Sequence, residues 1–238
     1  MKLNDAILIT GVGKRAGLVL AKHLIAKGHP VVGTYRSEYD ELEELRALGA
    51  HLIRIDFYQP DAATVLSHEL KLVCQSLRAI IHNASDWLPE RDNADNAEVL
   101  SKMLTIHVEI PYLLNLELSE LLSRCQQLMS DIIHITDYVA HTGSRKHIAY
   151  SASKAALESL TLSFAAKLAP KTKVNAIAPA LLKFNPGDNV EYQAKSLGKN
   201  VLPHEGGWDE LTNTVDYLMG SGYITGRTLH LDGGRHLR

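Results

Sequence analysis

Short apolar runs alternate with longer amphipathic stretches from the first residues onward. Ala6 to Thr10 reads as a strand, Ala16 to Lys27 carries apolar residues at helical spacing, and Pro30 to Tyr35 reads as a second strand. The beat continues with a strand at Leu52 to Asp56, a helix around Ala62 to Leu72, a strand at Ala79 to His82, and a helix ending near Leu122. Beyond these come a strand at Asp131 to Thr136, a helix from about Ser151 to Leu168, and strands at Val174 to Ala178 and Thr228 to Leu231. Strands that alternate with helices need crossover connections, so the expected fold is α/β, a single doubly wound parallel sheet with helices on both faces. No linker-like stretch, internal repeat or low-complexity tract divides the chain, which makes residues 1–238 one expected domain. Lys183 to Gly207 breaks the pattern with Pro186-Gly187-Asp188-Asn189, Pro203 and Gly206-Gly207. It reads as a long loop with a short helix, placed after a strand at the sheet's C-terminal edge, where such folds bind ligands.

Composition narrows the choice of partners. Hydrophobic residues make up 45% and charged residues 22% of 238, enough apolar surface for a sizeable core. A formal charge of -2 offers no cationic excess for a nucleic-acid backbone or an anionic membrane. Cys74 and Cys125 stand far apart with no C-x-x-C pairing, so they read as reduced thiols on helices rather than as a disulfide or zinc ligands. The N-terminal apolar run is too short for a secretion signal and no stretch approaches a membrane span, so a cytoplasmic protein is expected. The 12 histidines form no ligand pattern, and no metal is assigned.

Directly after the first strand stands Thr10-Gly11-Val12-Gly13-Lys14-Arg15-Ala16-Gly17, leading into a helix. Glycines there let the backbone approach a pyrophosphate, which the N–H groups and dipole of the helix start favour. Such turns also serve simply to pack helix on sheet, but the first β-α turn is the dinucleotide position of a Rossmann-like fold. A site for the ribose 2′-hydroxyl usually shows an acid at the end of the second strand. Here the run is Thr34-Tyr35-Arg36-Ser37, with no acid until Glu38. Arg36 offers a fork to a 2′-phosphate, Ser37 a further donor, and Lys14 and Arg15 add charge, so NADPH is expected over NADH. A lone arginine is as often a solvated surface charge, a reading that leaves the missing acid unexplained.

Tyr150 and Lys154 lie four apart at a helix start and so share one face. A tyrosine moves protons poorly at neutral pH unless a nearby cation favours its phenolate, and Lys154 is such a cation. The pair alone arises often by chance. Joined in order with the glycine turn, Asp56 after the third strand, Asn83-Ala84 after the fourth, Asn175 to Pro179, Ile224-Thr225-Gly226 and Asp232-Gly233-Gly234, it resembles the short-chain dehydrogenase/reductase family over the whole chain. The resemblance implies that Tyr150 is the general acid and that Lys154 lowers its pKa and holds the nicotinamide ribose. It assigns to the cofactor Gly11, Lys14, Arg15, Ala16 and Gly17 of the turn, then Arg36, Ser37, Asp56, Asn83, Ala84 and Ser85. It adds Thr136, Tyr150 and Lys154, with Pro179, Leu181 and Leu182 after the sixth strand. A homotetramer is also implied, with Arg238 at the terminus as a candidate for reaching a neighbouring subunit.

Three positions depart from that family's pattern. Asp137 stands thirteen residues before Tyr150, where the family has serine; His107 replaces the helix asparagine; and Arg15 replaces the middle glycine of the turn. With Tyr35-Arg36-Ser37, and with Asn83-Ala84-Ser85 followed by an aromatic, these departures resemble the pteridine reductases within the family. The resemblance implies reduction of a 7,8-dihydropterin, dihydromonapterin first and dihydrofolate as a weaker substrate. It further implies that Trp87 stacks the pterin on the nicotinamide, that Ser85 bonds the pterin edge or the cofactor phosphate, and that Arg15 reaches both. Asp137 suits that chemistry, since it can accept from an amino-pyrimidine edge or share a proton with Tyr150. Plainer readings stay open: Asp137 as a turn former, Trp87 as a loop aromatic closing the core. Two other functions stay open as well, reduction of a small carbonyl or 3-ketoacyl group, and a non-catalytic NADPH sensor.

Overall fold

A computed structural model describes residues 2–91 and 95–238. Seven strands form one parallel sheet in the order β3-β2-β1-β4-β5-β6-β7. They are β1 (Ala6–Ile9), β2 (Val31–Tyr35), β3 (His51–Arg54), β4 (Leu77–His82), β5 (Ser130–Ile135), β6 (Thr172–Pro179) and β7 (Thr228–Leu231). All seven coincide with apolar runs of the sequence, within a few residues at each end. Helices α1 (Arg15–Ala26), α2 (Glu41–Ala47) and α3 (Ala62–Val73) follow the first three strands. After β4 come α4 (Asn96–Leu104), a π-helical turn (Thr105–Glu109), α5 (Ile110–Glu117) and α6 (Ser119–Ser123). The remainder are α7 (Val139–Thr142), α8 (Ile148–Leu168), α9 (Val190–Leu197) and α10 (Trp208–Gly220).

The central strands are apolar on both faces because both faces are covered. Ala6 and Leu8 of β1 face Leu66 and Leu70 of α3, Leu114 of α5 and Phe164 of α8 in one core. Ile7 and Ile9 face the other way, into a core with Leu20 and Leu24 of α1, Leu42 and Leu45 of α2, and Leu211, Val215 and Leu218 of α10. The order reverses beside β1, so the crevice between the β1 and β4 loops is the switch point at which ligands of such sheets bind.

Three local expectations change and a fourth is met. The long helix after β4 is broken into α4, the π turn, α5 and α6, with His107 at the centre of the π turn. Helix α8 starts at Ile148, not near Ser151, because the Glu90 carboxylate accepts from the N–H groups of Ile148 (2.8 Å) and Ala149 (2.7 Å). That cap comes from a distant loop, so the local sequence carries no sign of it. The two cysteines are buried thiols as expected, but Cys74 and Cys125 lie just past the ends of α3 and α6 rather than within them. The Lys183 to Gly207 excursion does hold a short helix, α9, and its end is pinned back by bonds from Gly206 N to Leu181 O and from Gly207 N to Leu182 O (3.0 and 2.8 Å). Among the described residues no helix is long and apolar enough to cross a membrane.

Candidate active site

The turn after β1 is built around two glycines with no room for a side chain. Gly11 has φ +76°, and a Cβ on Gly17 would stand 2.0 Å from the Gly11 carbonyl oxygen. The β4 loop locks this turn: Asn83 Nδ2 donates to the carbonyls of Thr10 (3.0 Å) and Gly11 (2.9 Å), and Asn83 N and Ala84 N both donate to Thr10 Oγ1. Asn83 therefore holds the turn open from beneath. Arg15 takes φ +51°, an unusual conformation for a side-chain-bearing residue, at the position where the family pattern has glycine. Its guanidinium bonds Lys183 O (2.7 Å) and Asn185 Oδ1 (2.8 Å), so in this structure Arg15 ties the turn to the start of the 183–207 excursion. Lys14 lies over the Tyr39 ring, 5.4 Å from its centroid.

From this turn a cleft of about 450 Å³ runs outward. It brings together Gly11, Lys14, Arg15, Ala16, Gly17, Arg36, Ser37, Asp56, Asn83, Ala84, Ser85 and Trp87, as the sequence led us to expect. Arg36 is half-exposed and paired: Nη1 lies 2.9 Å from Asp86 Oδ2, and the Tyr58 hydroxyl donates to that same oxygen (2.8 Å). Neither Asp86 nor Tyr58 is among the residues the sequence singled out. Asp86 sits directly after Ser85 in a recognised stretch, which is the one signal that points to it. Trp87 is 63% exposed and stacked on His147, with centroids 4.0 Å apart, so it does not close the core.

The proton-handling groups lie deeper than this cleft and do not line it. Tyr150 Oη donates to Asp137 Oδ2 (2.9 Å), while Asp137 Oδ1 accepts from Val139 N (3.0 Å). One Asp137 oxygen thus forms the turn and the other meets the phenol. Burial pushes the Asp137 carboxyl up, against the opposing pull of the Val139 N–H, Tyr150, Lys154 and Arg235. Burial, then the charge and hydrogen bond of Asp137, push the Tyr150 phenol well above its ordinary range. Lys154 is buried with its ammonium on Ile135 O (2.8 Å), and burial lowers it to about 8. The expectation that Lys154 draws Tyr150 toward phenolate is thus not what this arrangement does. Desolvation and a carboxylate set the phenol's shift, and burial disfavours the charge on Lys154 itself.

A second chain reaches the same place through His107, buried at 1% exposure. Ser153 Oγ donates to Tyr150 O (2.8 Å), so toward His107 Nδ1 (2.8 Å) it can only accept. His107 then bears its hydrogen on Nδ1, and its Nε2 accepts from Ser85 Oγ (2.7 Å). Burial and the nearby Lys154 keep the imidazole neutral, well below its usual titration range. With its hydrogen engaged, Ser85 faces the cleft as an acceptor. Behind this layer His82, Asn115, His134 and Thr161 form a buried hydrogen-bonded chain, and burial lowers His82 to about 4.

At the far edge, the Thr136 hydroxyl has two acceptors within reach of its one hydrogen, Ile177 O (3.2 Å) and Glu158 Oε1 (3.1 Å), and Pro179 O accepts from Tyr138 N (3.1 Å). Pro179, Leu181 and Leu182 lead from β6 into the excursion and lie apart from the 450 Å³ cleft. Arg235 stacks over the Tyr138 ring at 4.8 Å and bonds Asn200 Oδ1 (2.8 Å), while Arg238 bonds the carbonyl of Gly198 in its own chain.

The family described as Enoyl-(Acyl carrier protein) reductase matches residues 11–236. The dihydromonapterin reductases of Klebsiella pneumoniae and Escherichia coli are 48% and 49% identical over 232 residues, covering 98% of this chain and 97% of theirs. The chain belongs to the short-chain dehydrogenase/reductase family. It is an oxidoreductase of that family, as the Tyr150–Lys154 pair led us to expect. Two solved structures share its fold. FolM alternative dihydrofolate reductase 1 from Brucella suis in complex with NADP has TM-score 0.88 at 24% identity, covering 100% of this chain and 97% of that one. The Pseudomonas aeruginosa RhlG/NADP active-site complex has TM-score 0.87 at 23% identity, covering 99% and 98%. The short-chain reductase turn here fits a dinucleotide by its own geometry: the Gly11–Gly17 contact leaves no space for side chains, and no acid occupies the first turn of α1.

Proposed function

We propose that this short-chain reductase, a single cytoplasmic domain, reduces a 7,8-dihydropterin, dihydromonapterin first, with NADPH. The relatives carrying that name span nearly the whole chain. The observation that carries the reading is the Tyr150–Asp137 hydrogen bond, 2.9 Å, where the family pattern has a hydroxyl. A dihydropterin C=N bond takes hydride on carbon and needs a proton on the adjacent nitrogen. NADPH, when bound, supplies the hydride. Tyr150 holds the proton, since its phenol stays neutral, and Asp137, whose pKa burial raises, accepts from that phenol. Oη gives its proton to the substrate nitrogen, and the phenolate left behind regains one from solvent by way of the Asp137 carboxyl beside it. Gly11 to Gly17 and Asn83 to Ala84 cradle the cofactor phosphates, Arg36 and Ser37 take the 2′-phosphate, and Lys154 holds the ribose. Thr136, Pro179, Leu181 and Leu182 border its nicotinamide end. Trp87 offers a flat exposed ring to the pterin, and Ser85, an acceptor, suits a pterin N–H rather than a phosphate oxygen. Arg15, tied to Lys183 O and Asn185, links the two ligand sites to the excursion. Four copies of the chain form the working assembly, which light scattering checks.

Asp137→Ser tests the reading. It is expected to lower kcat for dihydromonapterin by about a hundredfold while the NADPH Kd stays within about twofold. Equal loss of both would make Asp137 a structural residue. A carbonyl or 3-ketoacyl substrate turned over faster by Asp137→Ser than by the parent protein would move the reading to that class.

A further inference from the structure

The Arg36 side chain reaches the cleft from the end of β2, and Asp86 reaches it from the loop after β4. Strand β1, whose turn carries Gly11 and Gly17, lies between those two strands. The Arg36–Asp86 pair therefore joins the two walls of the cleft. The contact is two-pronged, Nη1 to Oδ2 at 2.9 Å and Nη2 to Oδ1 at 3.5 Å, so the outer edge of the guanidinium is taken by a carboxylate. Tyr58 holds Asp86 in place through its hydroxyl (2.8 Å), and the Arg36 guanidinium lies 5.7 Å from the centre of the same ring. A phosphate dianion recognises a guanidinium through that same forked edge. Carboxylate and phosphate cannot both have it.

We propose that Asp86 is a built-in competitor for the cofactor's 2′-phosphate, an internal anion that occupies Arg36 until NADPH displaces it and so sets how strongly the protein prefers NADPH over NADH. This rests on the reading that Arg36 takes the 2′-phosphate. The competition falls on NADP(H) alone, because a cofactor with a free 2′-hydroxyl has no dianion to displace the carboxylate. The competition vanishes when the carboxylate becomes an amide, which carries no charge to hold the guanidinium. Tyr58 is a positioning residue in this account, fixing the oxygen that faces Arg36.

The test is a set of binding isotherms for NADP+ and NAD+ on the full chain. Asp86→Asn is expected to tighten NADP+ about fivefold and leave NAD+ within about twofold, raising the preference. Tyr58→Phe moves NADP+ in the same direction by a smaller factor. In an Arg36→Ala background, Asp86→Asn is expected to have no effect on NADP+. If Asp86→Asn leaves NADP+ unchanged or weakens it, or tightens it equally without Arg36, the competition does not exist. If Arg36→Ala alone leaves the NADP+ preference intact, the reading of Arg36 itself fails, a result distinct from the others.

Discussion

Placing a carboxyl thirteen residues ahead of Tyr150, where a hydroxyl is usual, changes what the phenol does with its proton. A serine hydroxyl offers one hydrogen and no charge; Asp137 offers an acid whose protonated form burial favours. The sign of the pH dependence follows. Because the Asp137 pKa is raised, its acid form persists above the usual carboxylate range, and kcat/KM is expected to fall as pH rises through that raised value. Asp137→Asn cannot ionise, so that limb should vanish from its profile, leaving one near the Lys154 value of about 8. An unchanged lower limb in Asp137→Asn would show that another group sets it. Ser85 gives a second prediction. Its hydrogen is engaged by His107, so Ser85→Ala should raise KM for the pterin about tenfold, with NADPH binding unchanged. A weakened NADPH Kd with an unaltered pterin KM would place Ser85 on the cofactor instead. His107 itself was legible as a departure from the family asparagine. Its role was not, because the direction of the Ser153–His107–Ser85 bonds depends on Ser153 donating to its own helix.

Elements that bury one face against a neighbour were easiest to read. Strands β1, β2, β4 and β5 are buried along their whole length, since a parallel strand covered on both faces has no exposed side, while the edge strands β3 and β7 are only partly covered. Helices α2 and α10 went unread. Leu211, Val215 and Leu218 have helical spacing and are buried in α10, directly after the Gly206-Gly207 pair. What docks α10 is not local at all. Asp131 at the start of β5 is fully buried with Arg78 of β4 and Lys173 of β6, and those two cations reach the carbonyls of Met219 (2.7 Å) and Leu218 (2.6 Å) at the end of α10. They satisfy carbonyls that a helix C-terminus leaves open. Asp131→Asn strands two buried cations and is expected to lower unfolding free energy by about 3 kcal/mol, measured by urea denaturation. A loss below about 1 kcal/mol would show that the cations need no carboxylate.

Across the whole molecule, the C-terminal ends of β1, β2, β3 and β4 deliver separate sequence motifs to one cleft, which is why marks scattered from Gly11 to Trp87 are readable together. The residues proposed to contact ligand stand in those marks. Residues that act by restraining them, such as Asp86 on Arg36, Glu90 on the start of α8 and His147 on Trp87, lie between the marks and become visible only in three dimensions. The central claim is dihydropterin reduction driven by the Tyr150–Asp137 pair. It is tested most directly by mixing the protein with NADPH and dihydromonapterin and following the nicotinamide absorbance band, beside Tyr150→Phe under the same conditions. The account predicts rapid NADPH oxidation by the parent protein and a rate at least about a hundredfold lower for Tyr150→Phe, with NADPH still bound. Tight NADPH binding without oxidation in the parent protein, or full turnover by Tyr150→Phe, would contradict it.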